Sequence, residues 1–458
     1  MDLYRTTLAG SLLLNGVVLY QSYRAKTVAS SESVANPEKV EHRGRETGDE
    51  ERVTRLKWRF LPVYLLVNGA DWLQGPYIYP IYKDEKGLAE SLVALLFMVG
   101  FLSGGVSASF AGAFADRFGR KAACLAYCVI YSLSCLTLLS DQIVLLFLGR
   151  ILGGISATLL YSVFESWLVA EFNGLMLEEQ GSALSGIFST MTTLNGLVAI
   201  GAGILAESLV GMVGTAKAPF MASAVCLSIA FITISKTWPE NYGARQGGSE
   251  ESTGLLEQQA NDEAPTKSAL RLVLQDKNIL TLAVASCFFE GSLFLFIFFK
   301  FPALKLCHEL AGSSSDLPFG LIFAILMCSM MFGSQLYNNV TSSSAAPAKR
   351  ILICTLALAS MCFFFPAYVR KESITLWAFC IFEVCCGIYY PVMGSLKGKL
   401  IDDGARASVY GILRVPLNAF VVIALSTTKE GEHHRDLVFI TCSGLLLVAA
   451  LAVHRILA

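Results

Sequence analysis

The sequence predicts an all-α membrane protein made of two six-helix halves with one extra helix at its amino terminus. Three observations carry that expectation. The 458 residues are 54% hydrophobic and only 16% charged, with a mean hydropathy of +0.57, whereas soluble globular chains hold about 25% charged residues. The apolar residues fall in blocks of about 20, the length that spans a hydrocarbon core at about 1.5 Å per residue. A polar, acidic break then divides the main blocks six from six.

The formal net charge of −1 points to no nucleic-acid or acidic partner. Of the thirteen cysteines, all except Cys307 lie inside apolar stretches. Cysteines so placed act as small hydrophobes. No disulfide framework is expected, and cysteine usage leaves the redox compartment unread.

Taken in order, the first apolar stretch, residues 3–20, is followed by Arg24 and Lys26. A cleavable signal carries its positive charge ahead of the apolar run and ends in a small-residue site. The flanks here predict an uncleaved anchor with the amino terminus outside. Residues 22–57, with Lys39, Arg43, Arg45, Arg52, Arg55 and Lys57, read as a polar cytosolic linker, so that residues 1–57 form an anchor and linker region.

The amino-terminal bundle, 58–237, holds stretches at 58–82, 88–115, 121–140, 143–169, 182–210 and 216–237. Residues 238–277 are polar and acidic and read as a disordered cytosolic loop. The carboxy-terminal bundle, 278–458, holds stretches near 278–302, 316–340, 349–370, 374–400, 406–427 and 435–457. Thirteen crossings place the carboxy terminus in the cytosol. Interior prolines such as Pro76, Pro391 and Pro416 are tolerated in membrane helices.

Six helices on each side of a central loop imply two repeated halves. Asp71 aligns with Glu290, each in the first helix of its half. Ser185-Gly186-Ile187-Phe188 aligns with Tyr410-Gly411-Ile412-Leu413, and Arg150-x-x-x-Gly154 with Glu383-x-x-x-Gly387. Apolar sequences align easily by chance, so these matches support the helix count more than a duplication.

Between the second and third core stretches the chain reads Gly112-Ala-Phe-Ala-Asp116-Arg117-Phe118-Gly119-Arg120-Lys121. This run resembles the G-x-x-x-D-R-x-G-R-[KR] signature of the major facilitator superfamily at every position. Glycines suit a tight hairpin, and the basic residues hold it on the cytosolic side. The resemblance implies the major facilitator fold. It also implies that Asp116, within the gating motif Gly112, Asp116, Arg117, Gly119 and Arg120, pairs with a neighbouring helix to stabilise one access state. The equivalent site in the second half, Gly333-Ser334-Gln335-Leu336-Tyr337 with Lys349 and Arg350 further on, is degenerate.

Within that superfamily the chain resembles the eukaryotic molybdate-anion transporter family. The residues that carry this are Ala70-Asp71-Trp72-Leu73-Gln74-Gly75-Pro76-Tyr77-Ile78-Tyr79, Gly149-Arg150-x-Leu152-Gly153-Gly154, Phe164-Glu165-Ser166-Trp167 and Trp238-Pro-Glu240-Asn241-Tyr242. Phe289-Glu290-Gly291-Ser292, Glu383-Val-Cys-Cys-Gly387-Ile-Tyr389 and Arg414-Val415-Pro416-Leu417 follow. The likeness runs from about Trp58 to the last helix. It implies secondary active transport of molybdate or a similar tetrahedral oxyanion.

Charged groups inside membrane helices cost several kcal/mol and mark pathways or partners. Asp71, Arg150, Glu290, Glu383 and Arg414 all fall near mid-depth, where two-halved transporters bind their substrates. The plainer reading is that they pair to hold helices together. An oxyanion needs cations and donors, and arginine presents two parallel bonds to it. Arg414 is the first choice for the anion contact and Arg150 the second, with Gln74, Tyr77 and Asn418 as neutral donors. Asp71, Glu290 and Glu383 balance the arginines or carry protons, and Glu165, near a helix end, joins that set or only meets the interface. Lys300, near an outer helix end, is expected to snorkel.

His433 and His434 fall in an outer loop and suggest no metal site. No phosphate loop of the G-x-x-x-x-G-K-[ST] form is present, so ATP-driven transport is not expected. The sequon Asn339-Val340-Thr341 falls on the cytosolic side. Together these readings describe a monomeric, multi-pass transporter of the plasma membrane or an endomembrane. Its partners are a small inorganic anion and the lipid bilayer; no cofactor, nucleic acid or catalytic residue is expected. The rival readings are an exchanger of another small anion such as sulfate, and a sensor or scaffold that binds without flux.

Overall fold

A computed structural model of the chain describes residues 2–33, 43–175, 180–242, 265–313, 315–343, 347–401, 403–429 and 431–457. Its helices are α1 (Asp2–Ser33), α2 (Arg43–Gln74), α3 (Ile78–Pro80), α4 (Glu90–Phe118), α5 (Arg120–Thr137), α6 (Ile143–Asn173), α7 (Gln180–Val213) and α8 (Ala218–Thr237). They continue as α9 (Pro265–Gln275), α10 (Lys277–Leu310), α11 (Phe319–Ser343), α12 (Ala348–Tyr368), α13 (Glu372–Leu400), α14 (Asp403–Ser426) and α15 (Glu432–Ile456). A π-helical turn, Ile81–Glu85, follows α3. Backbone groups satisfied within each helix are what lipid demands of a spanning segment.

Among the described residues, ten helices are long and apolar enough to cross a membrane: α4, α6, α7, α8 and α10 to α15. The remaining long helices are α1, α2 and α5. Charge sets two of them apart: α2 begins in the run containing Arg52, Arg55 and Lys57, and α5 opens on Arg120 and Lys121. Thirteen long helices therefore occupy the thirteen apolar blocks.

The chain divides into two compact units. Unit 1 comprises Met1–Gly87, Val99–Arg245 and Pro318–Cys328; unit 2 comprises Leu88–Met98, Gln246–Leu317 and Ser329–Ala458. The same internal packing recurs in each. In unit 1, α2 packs on α6, α7 and α8, while α5 packs on α6 and α8. In unit 2, α10 packs on α13, α14 and α15, while α12 packs on α13 and α15. First helix on fourth, fifth and sixth, and third on fourth and sixth, is one arrangement used twice.

Helix crossings repeat as well. A Cβ at Gly154 of α6 would overlap Ser103 and the Gly100 and Gly104 backbone of α4. A Cβ at Gly387 of α13 would overlap the Met330 and Ser334 backbone of α11. Only glycine lets backbones approach so closely. Because these crossings correspond, the alignment of Arg150-x-x-x-Gly154 with Glu383-x-x-x-Gly387 has a structural basis.

Four expectations need correction. The first core stretch is not continuous: α2 stops at Gln74, and Gly75-Pro76-Tyr77 turns the chain before α3. Pro76 has no N–H to give a helix and disfavours helical backbone at the residue before it. The linker 22–57 is partly helical, since α1 runs to Ser33 and α2 begins at Arg43; residues 34–42 lie outside the described residues. The central segment 238–277 is ordered at both ends, with 243–264 outside the described residues. There α9 buries Val273 against Ile279, Ile401, Val409 and Leu413. Finally, His433 and His434 open α15 and are not in a loop. All thirteen cysteines are free thiols.

Candidate functional site

In unit 1 the charged side chains of α2 and α6 meet at a cavity of about 210 Å³. Asp71, Gln74, Tyr82, Tyr131, Ser134 and Arg150 give it its polar lining, and Gly100, Gly149, Gly153 and Gly154 supply bare backbone. The space exists because α4 and α6 cross on glycines. The fit around the cation is close: a Cβ at Gly100 would lie 2.5 Å from an Arg150 Nη2.

Asp71 is held from across the bundle. The Tyr131 hydroxyl of α5 donates to Asp71 Oδ1 at 2.5 Å, and the Tyr161 phenol of α6 bonds the same carboxyl. Its neighbours in the Asp71-to-Tyr77 run are engaged too. Trp72 Nε1 donates to Asn195 Oδ1 at 2.9 Å. Gln74 Nε2 donates to the Ala70 carbonyl at 3.1 Å. The Tyr77 hydroxyl donates to Glu207 Oε2 at 2.8 Å.

That last bond belongs to a clasp. Glu207 of α7 accepts from Tyr77 and, on the same oxygen, from the Gly320 backbone N–H at 2.8 Å. Gly320 is in the first turn of α11, where backbone donors lack intrahelical partners. The helices touch here, since a Cβ at Gly203 would lie 2.8 Å from the Gly320 carbonyl. This part of α11 belongs to unit 1, and the helix from Ser329 onward to unit 2.

The Gly112-to-Arg120 hairpin is organised by a residue given no role in the sequence. Gly119 adopts φ 104°, the left-handed turn that glycine permits. Around it, Glu240 accepts from the backbone N–H groups of Lys121 at 2.7 Å and Ala122 at 3.1 Å. The Glu240 carboxylate thus caps the amino terminus of α5 from outside the helix. Asp116, near the end of α4, accepts from Nη2 of Arg120, the first residue of α5, at 3.0 Å.

Two sequence runs explain each other. Trp167 stacks on Trp238 at 3.7 Å between ring centroids, and its indole N–H donates to the Pro239 carbonyl at 3.1 Å. Asn241 Nδ2 donates to Glu171 Oε1 at 3.0 Å. Phe164-x-x-Trp167 and Trp238-Pro-Glu240-Asn241 are therefore two sides of one packed cluster. Glu165 points the other way and is exposed, within electrostatic reach of Tyr64.

Unit 2 repeats the carboxylate–tyrosine theme. The Tyr389 hydroxyl of α13 donates to Glu290 Oε1 at 3.0 Å, and Tyr389 stacks on Phe289 at 3.9 Å. Glu383 and Lys300 are only 3% and 4% exposed. They lie within electrostatic reach of one another, with the ammonium over the rings of Phe296 and Phe301 at 5.5 and 5.2 Å. Lys300 is buried, so the expectation that it snorkels fails. Aromatic faces and a buried acid hold its charge more favourably than a route to the interface. Arg414 is exposed, and Asn418, one turn further along α14, is half-buried.

Unit 1 thus brings Asp71, Arg150 and Gln74 to one cavity. Tyr77 engages Glu207, and Glu383 lies with Lys300. Tyr131, Glu207, Glu240 and Lys397 carry polar roles that sequence inspection missed. Their partners are 60, 113, 119 and 107 positions away for Tyr131–Asp71, Glu207–Gly320, Glu240–Lys121 and Lys397–Glu290. Of these, Glu207 and Lys397 offered a signal, as charges within otherwise apolar stretches.

An all-helical chain with two like-packed units and embedded charged groups is of the membrane-transporter class. A family model described as sugar transporters with twelve transmembrane segments matches residues 32–376. The molybdate-anion transporter of Xenopus laevis is 28% identical over 458 residues, covering 97% of this chain and 92% of the relative. That of Danio rerio is 30% identical over 426 residues, covering 87% and 86%. A point mutant of the nucleoside transporter NupG has the same fold, with a TM-score of 0.66, 13% identity and coverage of 88% of this chain and 100% of that one. The chain belongs to the major facilitator superfamily, in the family that these molybdate-anion transporters form.

Proposed function

We propose that the protein is a secondary active transporter of molybdate or a similar tetrahedral oxyanion, working by alternating access and coupled to protons. The observation that carries this reading is the Arg150 guanidinium at a cavity whose other charged group is the Asp71 carboxylate. A guanidinium in a confined site offers two parallel bonds to an oxyanion. An ionised Asp71 competes for that cation; a protonated one does not. Proton uptake at Asp71 therefore favours anion entry, and proton loss favours release. Glu290, with its own tyrosine donor, does the same beside Arg414. Glu383 and Glu165 serve charge balance, Gln74 adds a donor at the cavity, and Asn418 adds one near Arg414.

The clasp of Glu207 on Tyr77 and Gly320 supports alternating access, since it holds the opening turn of α11 in one arrangement. The Gly112-to-Arg120 hairpin, capped by Glu240, is the second control point. The protein acts as a monomer in the plasma membrane, with its amino terminus outside and its carboxy terminus in the cytosol.

The description of the matching family names sugars, so a neutral polyol is the second reading. Uptake by proteoliposomes decides between them: radiolabelled molybdate with tungstate, sulfate or glucose as competitor, for the parent chain and Arg150→Ala. The expectation is saturable molybdate uptake, blocked by tungstate and not by glucose, and lost in Arg150→Ala. Accumulation no greater than in empty vesicles refutes the transport reading. Block by glucose alone selects the sugar reading.

A further inference from the structure

Unit 2 holds a second concentration of positive charge, and its key member lies outside the residues the transport reading uses. Lys397 is in the last turn of α13 and is half-buried. Its ammonium is 5.5 Å from the Tyr410 ring centroid. Tyr410 lies one turn before Arg414 on α14, so the ring and the guanidinium share a face. Lys397 is within electrostatic reach of both Glu290 and Arg414.

Among the described residues, the Arg414 guanidinium makes no hydrogen bond or ion pair. Glu290 is held instead by Tyr389. Lys300, a buried cation of this unit, has Glu383 beside it.

Charge bookkeeping then separates the two places. At Lys300 and Glu383, one cation faces one acid, both buried, and the pair closes on itself. At Lys397, among the described residues, the ammonium has one carboxylate, Glu290, and a like charge, Arg414, within electrostatic reach. Partly desolvated like charges are costly unless an anion joins them. Unlike Lys300, this cluster is open, because Arg414 is exposed.

We propose that Lys397, with Arg414, forms an oxyanion-binding station in unit 2, and that Glu290 is its resident counter-ion. The ligand is a tetrahedral divalent oxyanion that takes the two cations from Glu290. Two positive charges then meet two negative ones. The other groups facing Glu290 are the phenols of Tyr389 and Tyr390 and the thiol of Cys287. The inference rests on the transport reading and adds to it a residue and the role of Glu290 as its counter-ion.

The test is a pair of opposite responses in proteoliposomes loaded with the full chain. Lys397→Gln is expected to raise the KM for molybdate about tenfold with little change in maximal rate, the loss of one charge-assisted contact. Lys397→Arg restores most of it. Glu290→Gln moves the KM the other way, downward. A lysine that only braces α13 against α14 produces none of this pattern: Lys397→Gln and Glu290→Gln would both lower the maximal rate.

Thermal unfolding of the detergent-purified chain in sodium molybdate against sodium chloride checks binding apart from flux. Parent stabilisation absent in Lys397→Gln supports the station, and equal stabilisation in both overturns it while leaving transport intact. A parent that neither binds nor takes up molybdate overturns the transport reading and the station together. The same phosphate-like chemistry is offered by lipid headgroups. A KM defect that appears only when phosphatidylserine is added to phosphatidylcholine vesicles assigns Lys397 to lipid and overturns the proposal.

Discussion

Glu207→Ala tests the clasp at the opening of α11. Glu207 Oε2 accepts two bonds of 2.8 Å, from the Tyr77 hydroxyl and from the Gly320 N–H. The second acts as a helix cap made in trans, and losing a cap costs about 1 kcal/mol. The first is charge-assisted and contributes about 1.5–3 kcal/mol. Glu207 is half-buried, so the lower end applies. The arrangement that holds residues 319–324 on α7 then loses about 2.5 kcal/mol, a little under a hundredfold in its opening equilibrium. Glu207→Gln keeps an acceptor at the same place but not its charge, and loses about half as much. Hydrogen exchange read by mass spectrometry on peptides covering 319–324 measures this directly. Exchange there is expected to speed up by about two orders of magnitude in Glu207→Ala and by about one in Glu207→Gln, with peptides from α12 unchanged. Uptake is expected to fall in both. Unchanged exchange at 319–324 in Glu207→Ala refutes the clasp.

Gly100→Ala puts a methyl 2.5 Å from the Arg150 guanidinium. It is expected to raise the KM for the transported anion several-fold while thermal stability holds; a Gly186→Ala control, with nothing within 4 Å of its Cβ, leaves uptake kinetics unchanged. Glu240→Ala strips the acceptor from the Lys121 and Ala122 N–H groups. It lowers stability by about 1–2 kcal/mol, seen as a fall in Tm and faster exchange over 120–124. Trp167→Ala removes the ring stacked on Trp238 and costs about 3–5 kcal/mol, measured as poor recovery of monodisperse protein or a markedly lower Tm.

At the loop between α5 and α6, the Lys86 ammonium bonds Asp141 Oδ1 at 2.6 Å, and that bond holds the Asp141 carboxyl below its ordinary value. A depressed carboxyl adds stability that is complete above the unfolded value of about 3.9. The contribution disappears as pH falls through the lower, folded value. Asp141→Asn is therefore less stable than the parent at neutral pH, and the gap narrows under acid; a gap that widens below pH 4 contradicts the pairing.

Much of the fold was legible because lipid leaves a chain few choices. A span must be helical and about 20 residues long, so thirteen apolar blocks sufficed to place α1, α2, α4 to α8 and α10 to α15. The signature from Gly112 to Lys121 was legible because its turn is local: φ 104° at Gly119 is a property of one residue. The weak match of Gly154 to Gly387 reflected a real constraint, since each glycine lies where two backbones touch. Less was readable where structure depends on a remote partner. The polarity of residues 265–275 suggested a loop, yet α9 forms there because Val273 finds a surface on α10 and α14.

The sequence by itself determined which residues are charged inside the apolar blocks, and with them the membrane setting, the helix order and the family. Tertiary structure alone decided what each charge faces. It set Arg150 at a glycine-lined cavity beside Asp71, closed Lys300 onto Glu383, gave Tyr77 to Glu207 and turned Glu240 into the cap of α5. The physical reason is range. Helix formation and burial are governed by neighbours within a few turns, whereas an ion pair or a hydrogen bond is fixed by which of many distant helices packing brings within about 3 Å, a choice no local pattern records.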